Sequence, residues 1–416
     1  MNPYGRGNTD AYKKNGILWN TLGSAMYGAN SFIMLALVSR VGTVEQAGDF
    51  GIAFTTAQIL YIIGLLGVPH YQMTDYAEKH PFSDYVRVRI FSCCLMAVSS
   101  AGAISLLGFK GEQAAYTVCL TGLMLLNVVG DLYQCLFFQK NRLDLSGAAL
   151  FHRTLWPLLI FCGVLMLSGQ IVTAIAAQAA GNLLLTWYFA RVAAPFLPGK
   201  VSLRRSGTAR VLAVECVPLF FSLLLMNLVI NASKYGVEFW MDGQAQGYYN
   251  MIFMPVQVIN LCSQFLFKPF LNQYAALLRS GERKTFLRLL GKQLLLIAAL
   301  TVICCAGAYW LGAPVLGVLY QKDLQAFTVP LTLVVLGGGI FAVCQLFYYV
   351  LVILRQQKTV LKIYILAVPA AAGFTALLVR PCGLTGAALS LIAVYILILL
   401  LHIAALRRVL EGECRA

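Results

Sequence analysis

The stretch NASKYGVEFWMDGQAQGYYN (Asn231–Asn250) lies between two apolar runs, Val211–Ile230 and Met251–Phe267. An α-helix needs about 20 mostly apolar residues to cross a bilayer, so each run is close to the length of one crossing. The link between the runs carries Lys234 and Glu238, and charged side chains beside a span are expensive and seldom without a role. The stretch therefore predicts two membrane helices joined by a short link with functional side chains.

The same stretch repeats an earlier part of the chain. AGDFGIAFTTAQIL (Ala47–Leu60) aligns without a gap with QGYYNMIFMPVQVI (Gln246–Ile259), at an offset of 199 residues in a chain of 416. The matched positions are Gly48 with Gly247, Phe50 with Tyr249, Phe54 with Phe253 and Gln58 with Gln257. An offset of half the chain is typical of two-lobed transporters built from internal repeats.

The composition is that of a membrane protein. Hydrophobic residues make up 60% of the chain and charged residues only 11%, against about 25% charged residues in soluble proteins. The net charge of +15 does not indicate nucleic acid, because the basic residues fall between the apolar runs. The 12 cysteines lie almost all in apolar runs and follow no ligand spacing with the histidines, so we expect packing roles, no metal and no cofactor.

Twelve membrane spans are predicted from the apolar runs. They cover about 16–39, 46–69, 89–108, 114–138, 148–168, 171–190, 211–232, 245–267, 292–312, 326–352, 360–379 and 383–406. With a cytoplasmic N-terminus, every Lys and Arg falls in an inside segment except Arg40, Lys110, Lys234, Lys322 and Arg380. This bias obeys the positive-inside rule and places both termini in the cytoplasm.

The fold class predicted is an all-α integral membrane protein of two six-helix bundles. The segment Arg191–Arg210 contains two prolines, two glycines and five basic residues, and we interpret residues 196–209 within it as a basic cytoplasmic linker. The linker separates an N-terminal bundle at 1–195 from a C-terminal bundle at 210–416, which agrees with the repeat offset.

Polar clusters at two places are candidates for coupling or gating. At the inner end of span two, Gln72, Asp75 and Arg89 form one cluster; an Asp75–Arg89 pair would hold a cytoplasmic gate in one state, while the alternative is an ordinary solvated loop. Asp131 precedes Lys140 by nine residues, about 13 Å along a helix. An intramembrane carboxylate would take a coupling proton or sodium ion, or would form a structural pair with a cation.

The outer ends of spans one and seven carry candidate substrate contacts. Lys234 and Glu238 are four residues apart and share a face if the helix continues there. Lys234, with Asn231 beside it, would contact a phosphate group, although a simple Lys234–Glu238 pair at the rim is the alternative. Arg40 ends span one and has the same two interpretations, and Asn20 belongs to the polar face of that span.

The sequence disfavours enzymatic and ATP-driven functions. The predicted outer segments near Lys110 and Arg380 are only a few residues long, which leaves no room for a catalytic domain. The chain has no glycine-rich phosphate loop of the nucleotide-hydrolase type.

Four segments resemble the oligosaccharide and polysaccharide flippases of the multidrug/oligosaccharidyl-lipid/polysaccharide exporter superfamily. They are Tyr12–Phe54 (the first two spans), Tyr71–Arg89 (the segment after span two), Gly130–Gly147 (the end of span four) and Asn231–Asn250 (the link from span seven to span eight). The family link more often carries Arg where this chain has Lys234.

The resemblance implies two six-helix bundles around a central cavity and alternating access rather than hydrolysis. It implies a polyprenyl-pyrophosphate-linked oligosaccharide as the substrate, flipped across the bacterial cytoplasmic membrane for surface polysaccharide synthesis. Membrane lipid is the other expected partner, with proton or sodium coupling. The alternative within the same superfamily is a drug or cation antiporter, which would need carboxylates as the dominant charge of the cavity.

Overall fold

A computed structural model of the protein describes residues 9–75, 78–197, 207–267, 282–354 and 356–412, together with residues 270, 273, 274, 277 and 280. All regular secondary structure in these ranges is helical, which confirms the all-α prediction. Most of the predicted linker, residues 198–206, lies outside the described residues.

Thirteen α-helices follow one another along the described chain. They are α1 (Thr9–Val41), α2 (Val44–Leu65), α3 (Val68–Thr74), α4 (Phe82–Leu107), α5 (Gly111–Gln139), α6 (Leu143–Ser168), α7 (Ile171–Ala193), α8 (Gly207–Trp240), α9 (Gly243–Phe267), α10 (Arg283–Gly307), α11 (Ala313–Tyr320), α12 (Thr328–Ile353) and α13 (Gln357–Gly412). Short 3₁₀ turns at Ala194–Phe196 and Gln325–Phe327 and one π turn at Ala308–Gly312 complete the helical structure.

Ten segments of the described chain are long and apolar enough to cross a membrane. Their outward side chains are apolar, as for Leu106, Leu167 and Val318, which are 77–91% exposed. Such surfaces suit a lipid environment, and the chain is therefore a multi-pass membrane protein. Helix α9 is not among the ten; it carries Gln246 and Asn250, which lower its hydropathy.

Helix α13 contains two of the predicted spans, those at 360–379 and 383–406. Its 56 residues would extend about 84 Å, far more than the ~30 Å hydrocarbon core of a bilayer. At Gly383 the backbone leaves the helical region, with φ 55° and ψ −135°. Only glycine adopts such a conformation readily, so Gly383 divides α13 into two halves.

The chain divides into two compact units. The first unit contains Met1–Thr43 and Asp49–Leu224, and the second contains Val44–Gly48 and Leu225–Ala416. In the first unit, α1 packs along α6, and α7 packs against both α5 and α6. An apolar cluster, which includes Val68, Leu136 and Phe189, joins α3, α5 and α7 in the same unit.

In the second unit, α12 is the central helix and packs against α9, α10 and α13. The first turn of α2 belongs to this unit because it packs on the first turn of α9. Gly48 lies in this contact, close to the backbone of α9. A Cβ atom at Gly48 would lie 2.3 Å from the Gly243 carbonyl oxygen and 2.8 Å from the Gly247 nitrogen. Only glycine permits the two helix starts to approach so closely.

Candidate functional site

A buried arginine lies inside the first unit. Arg153, on α6, is only 5% exposed. Its Nε donates to Thr186 Oγ1 on α7 at 3.1 Å, and its Nη2 donates to the carbonyl oxygens of Leu126 and Asn127 on α5 at 3.2 and 3.5 Å. Among the described residues Arg153 forms no ion pair; its hydrogen bonds go to neutral groups, and the Asp131 carboxylate acts on its charge at longer range.

Gly130 makes room for this guanidinium group on α5. A Cβ atom at Gly130 would lie 1.8 Å from Arg153 Cζ, which is much shorter than two nonbonded carbon atoms can approach each other. The glycine therefore allows the charge of Arg153 to lie directly on the α5 backbone, where it reaches the carbonyl groups of the preceding turn.

Amide and hydroxyl groups extend the hydrogen bonds of Arg153. Asn182 Nδ2 donates to Asn127 Oδ1 at 2.9 Å and to the Arg153 carbonyl oxygen at 3.4 Å, and Thr186 Oγ1 donates to Asn182 Oδ1 at 3.1 Å. Asn182 and Thr186 are 2% and 4% exposed. Because each of these groups has a partner, the geometry around the guanidinium is well defined.

Asp131, the residue after Gly130 on α5, forms an ion pair with Arg89. Arg89 Nη2 donates to Asp131 Oδ2 at 2.8 Å, with the two side chains 2% and 14% exposed. Arg89 Nη1 also approaches the carbonyl oxygens of Gly64 and Leu65 at 3.4 Å. The pair neutralises the Asp131 carboxylate, so that Asp131 contacts a cation in this structure, while its role in coupling stays a prediction.

Together these side chains form a group that we name the arginine cluster. It consists of Arg89, Asn127, Asp131, Arg153, Asn182 and Thr186. It holds two guanidinium groups against one carboxylate, and therefore carries one positive charge in excess. In a low-dielectric interior an excess charge of this kind attracts anions strongly.

A polar cavity of about 30 Å³ adjoins the cluster within the first unit. Its lining includes Tyr27, Asn30, Gln58 and Gln178 in addition to Arg153. The volume holds roughly two water molecules. Hydroxyl, amide and guanidinium groups therefore converge on one small space, which suits hydrogen bonding to an anionic oxygen.

The predicted pair between Asp75 and Arg89 is not formed. Asp75 follows α3 and accepts hydrogen bonds from the backbone N–H groups of Lys79 and His80 at 2.8 and 3.1 Å and from the Tyr85 hydroxyl at 2.8 Å. Arg89 lies on α4, and its guanidinium contacts α5 instead. The correction has a physical reason: Asp75 already has three local donors, whereas Asp131 depends on Arg89 for compensation in the interior.

The hydrogen bonds of Asp75 also affect its acidity. Burial by itself would raise the pKa of Asp75, but the backbone N–H groups of His80 and Lys79 and the Tyr85 hydroxyl stabilise the carboxylate, and together they hold its pKa below the usual 3.8. Gln72, on α3, is fully buried and donates to the Leu132 carbonyl oxygen at 3.1 Å. Both residues therefore fix α3 and the following loop within the first unit.

Lys234 lies deeper than the sequence predicts. The sequence places it at the mouth of a span that ends near residue 232, but α8 continues to Trp240, so that Lys234 lies about 9 Å from the helix end. It is 8% exposed, and its Nζ is 4.4 Å from the centre of the Phe253 ring in the second unit. The expected shared helix face of Lys234 and Glu238 is confirmed, because both lie on α8.

The other predicted substrate contacts occupy different environments. Arg40 is exposed in the last turn of α1. Asn20 Nδ2 donates to the Gly16 and Leu143 carbonyl oxygens at 2.9 and 3.0 Å, and so connects α1 to α6. Asn231 is 7% exposed and donates to the Asn227 carbonyl oxygen at 3.0 Å.

Arg153 is the residue that the sequence analysis missed. It counts there as one of the basic residues at the cytoplasmic end of a span beginning at 148. In the structure α6 begins at Leu143, which puts Arg153 about 15 Å into the helix. The signal available in the sequence is an arginine followed at once by the apolar run of a span, a position at which a charge indicates function.

Comparison with known proteins identifies the fold. No protein-family model matches the chain, and no curated protein matches it. Among solved structures, the chain is similar to an inward-facing MATE-family multidrug resistance transporter of the MOP superfamily, with a TM-score of 0.71 and 13% identity over 92% of this chain and 96% of that chain.

Two further structures are similar over nearly their whole length. The lipid II flippase MurJ, in an inward closed conformation, has a TM-score of 0.71 and 13% identity over 95% of this chain and 87% of that chain. The VcmN MATE transporter of Vibrio cholerae has a TM-score of 0.62 and 13% identity over 96% of this chain and 98% of that chain. The chain therefore shares the fold of these solved transporters, as the resemblance in the sequence predicts.

Proposed function

We propose that the chain flips a polyprenyl-pyrophosphate-linked oligosaccharide across the bacterial cytoplasmic membrane by alternating access, for surface polysaccharide synthesis. The fold supports transport, because the similar structures are transporters and a flippase and not enzymes. The fold does not determine which substrate is transported, since both drug transporters and a lipid II flippase have this fold. The choice rests on the charge of the candidate site.

The excess positive charge of the arginine cluster is the observation that supports an anionic substrate. Arg153 is buried without an ion-pair partner among the described residues, and its guanidinium adjoins a cavity of amide and hydroxyl groups. Burying a charge without a direct ion-pair partner costs several kcal/mol, a cost that an incoming pyrophosphate oxygen would relieve. Arginine suits this task because its planar fork matches phosphate geometry.

A drug or cation antiporter of the same superfamily is the second candidate. Such a protein binds a positive cargo and needs an available carboxylate in its interior. The carboxylate present here, Asp131, is held by Arg89 at 2.8 Å. A cationic cargo at this site would have to displace Arg89 and would still meet the positive charge of Arg153, which makes the antiporter the weaker interpretation.

The roles of the other candidate residues are part of the proposal. The proposed substrate contacts outside the arginine cluster are Lys234, Arg40, Asn231 and Asn20. The proposed coupling or gating residues are Asp131, Asp75, Arg89, Gln72 and Glu238. Protonation of Asp131, or a cation bound to it, would release Arg89 and thereby link a proton or sodium gradient to the charge of the cluster.

The proposed topology has twelve crossings in two bundles of six, at 1–195 and 210–416, joined by the linker at 196–209. The ten candidate spans support this count when α9 is added and α13 is counted as two crossings divided at Gly383. Both termini then lie in the cytoplasm. Membrane lipid is the expected environment of the polyprenyl tail.

The decisive experiment measures translocation by the purified full-length protein in proteoliposomes. A fluorescent polyprenyl-pyrophosphate oligosaccharide is placed in one leaflet, and its appearance in the other is followed with and without a proton or sodium gradient. We expect R153Q to lower the rate by at least about tenfold, the usual effect of losing a charge-assisted hydrogen bond. R153K, which keeps the charge, should retain part of the activity.

R191Q is the matched control, because Arg191 lies on α7 of the same unit but is exposed, with its guanidinium 5.0 Å from the Trp187 ring centre. Equal rates for R153Q, R191Q and the unmodified protein would refute the role of Arg153. Efflux of a hydrophobic cation that depends on Asp131, with no translocation of the lipid-linked sugar, would establish the antiporter instead.

A further inference from the structure

A second and larger cavity lies in the second unit, between the two halves of α13. Its volume is about 400 Å³, within the range of small-molecule and lipid sites. One wall comes from the segment Gln356–Leu366 and the other from Leu401–Val409. These segments include the first turns and the last turns of α13, which the break at Gly383 allows to lie side by side.

The walls of this cavity are apolar and its charged groups are basic. Ile363, Leu366, Leu401 and Ala405 contribute apolar surface. Among the described residues that line the cavity, the ionisable side chains are Lys362 and Arg408, both exposed, and none of these residues is acidic.

The apolar surface continues out of the cavity along the same helix. Leu366 is 54% exposed, and the neighbouring Ile365 and Leu400 are 55% and 59% exposed. Side chains of this kind lie against acyl chains in a bilayer. The cavity is thus open towards the hydrocarbon region, while its basic groups lie near the helix ends that the positive-inside rule assigns to the cytoplasm.

We propose that this cavity binds one anionic glycerophospholipid of the inner leaflet. The phosphate would lie between Lys362 and Arg408, and the acyl chains would follow Leu366 and Leu401 into the bilayer. Charge complementarity selects this occupant, because basic pockets at the cytoplasmic ends of membrane helices attract anionic headgroups. The proposal requires only that α13 lies in a membrane, and it is independent of the transported substrate and of the arginine cluster.

The test is native mass spectrometry of the full-length protein in detergent, titrated with phosphatidylglycerol or with phosphatidylcholine of the same acyl chains. We expect one tightly bound phosphatidylglycerol and weaker phosphatidylcholine. The variant K362Q/R408Q should weaken phosphatidylglycerol binding by about 25-fold, since each Lys or Arg near an anionic headgroup contributes roughly a fivefold factor.

K358Q/R407Q is the matched control, because Lys358 and Arg407 lie at the same helix ends but do not line the cavity. It should change the affinity by less than about twofold. A third variant, A404W, places a large ring at an exposed lining position and should displace the lipid without any change of charge.

Four results would overturn the proposal. Equal losses in the two charge variants would indicate diffuse attraction rather than a site. Equal binding of the two lipids would show that Lys362 and Arg408 do not select an anionic headgroup. Displacement of phosphatidylglycerol by glycerol phosphate at similar concentration, or no effect of A404W, would show that the apolar walls hold no acyl chain.

Discussion

The charge of Arg153 is positioned by backbone carbonyl groups and by neutral side chains, not by a carboxylate. Its three hydrogen-bond partners lie on α5 and α7, while the nearby Asp131 is compensated by Arg89. A buried cation arranged in this way is costly to the protein and available to a ligand. The absence of a side chain at Gly130 is what allows the arrangement.

G130A tests the position of Arg153 without removing its charge. The added methyl group would overlap the guanidinium, 1.8 Å from Cζ, and would push it away from α5. We expect translocation in proteoliposomes to fall by roughly tenfold, as for the loss of charged hydrogen bonds. The control is G122A on the same helix, where a Cβ atom meets nothing within 4 Å; equal rates for the two variants would contradict the prediction.

D75N tests the hydrogen bonds of the loop that follows α3. The pKa of Asp75 is held below its usual value in the folded protein. The ionised carboxylate therefore stabilises the fold fully at pH values above the usual pKa, and this stabilisation is lost as the pH falls through the folded pKa. We expect D75N to unfold at a lower temperature than the unmodified protein at pH 7, and the difference to close on acidification below about pH 4.

The measurement for D75N is thermal unfolding in detergent between pH 7 and pH 3. D323N is the control, because Asp323 accepts a single backbone hydrogen bond, from Gln325, at an exposed turn. A difference between D75N and the unmodified protein that persists unchanged at pH 3 would mean that the carboxylate charge is not the stabilising feature.

At the scale of elements, α2 and α9 are repeats of each other. They begin at Val44 and Gly243, the same offset of 199 residues that the sequence predicts. The aromatic pairs also match: the Phe50 and Phe54 rings are 6.0 Å apart, and the Tyr249 and Phe253 rings are 5.9 Å apart. The structure confirms the repeat at these positions.

G48A tests the contact between the first turns of these helices. A Cβ atom at Gly48 would collide with backbone atoms of α9 that cannot rotate away, so we expect a loss of about 1–3 kcal/mol in the free energy of unfolding. G102A in α4, where a Cβ atom meets nothing within 4 Å, should be neutral or stabilising by up to about 1 kcal/mol. The measurement is thermal unfolding of both variants in detergent. Equal unfolding midpoints for G48A and G102A would argue against a close contact between α2 and α9.

At the scale of the whole molecule, the proposed count of twelve crossings depends on α9 and α13. The ten candidate spans include α13 as a single span. Its 56 residues are far more than the about 20 residues that one crossing uses. The break at Gly383 makes two crossings the natural solution. With two crossings, both ends of α13 would lie on one side of the membrane.

Reporter fusions test this topology. A reporter that fluoresces only in the cytoplasm should be active when fused after Gln356 and after Gly412, and a phosphatase that is active only outside should be active after Lys110. The physical reason is that a helix pair returns to its starting side, as the bias of Lys and Arg requires. Opposite results for the fusions after Gln356 and Gly412 would mean that α13 crosses once.

Much of the fold is determined by the sequence, because hydropathy and repeat spacing are local or periodic properties of the chain. Apolar runs of about 20 residues specify membrane helices without reference to their neighbours, and Gly48 and Gly247 mark the repeat by position alone. Asp131 is also recognisable, since a carboxylate inside an apolar run is rare.

The partners of the buried charges were decided only by the tertiary structure. Arg89 has Asp75 nearby in sequence, yet it pairs with Asp131, 42 residues away, because the packing of α4 on α5 brings these two side chains together in the interior. Arg153 reads in the sequence as a cytoplasmic basic residue and becomes the centre of the candidate site only when α6 begins five residues earlier than predicted and Gly130 lies opposite it. Ion pairing depends on distance and dielectric, and both are set by packing rather than by order along the chain.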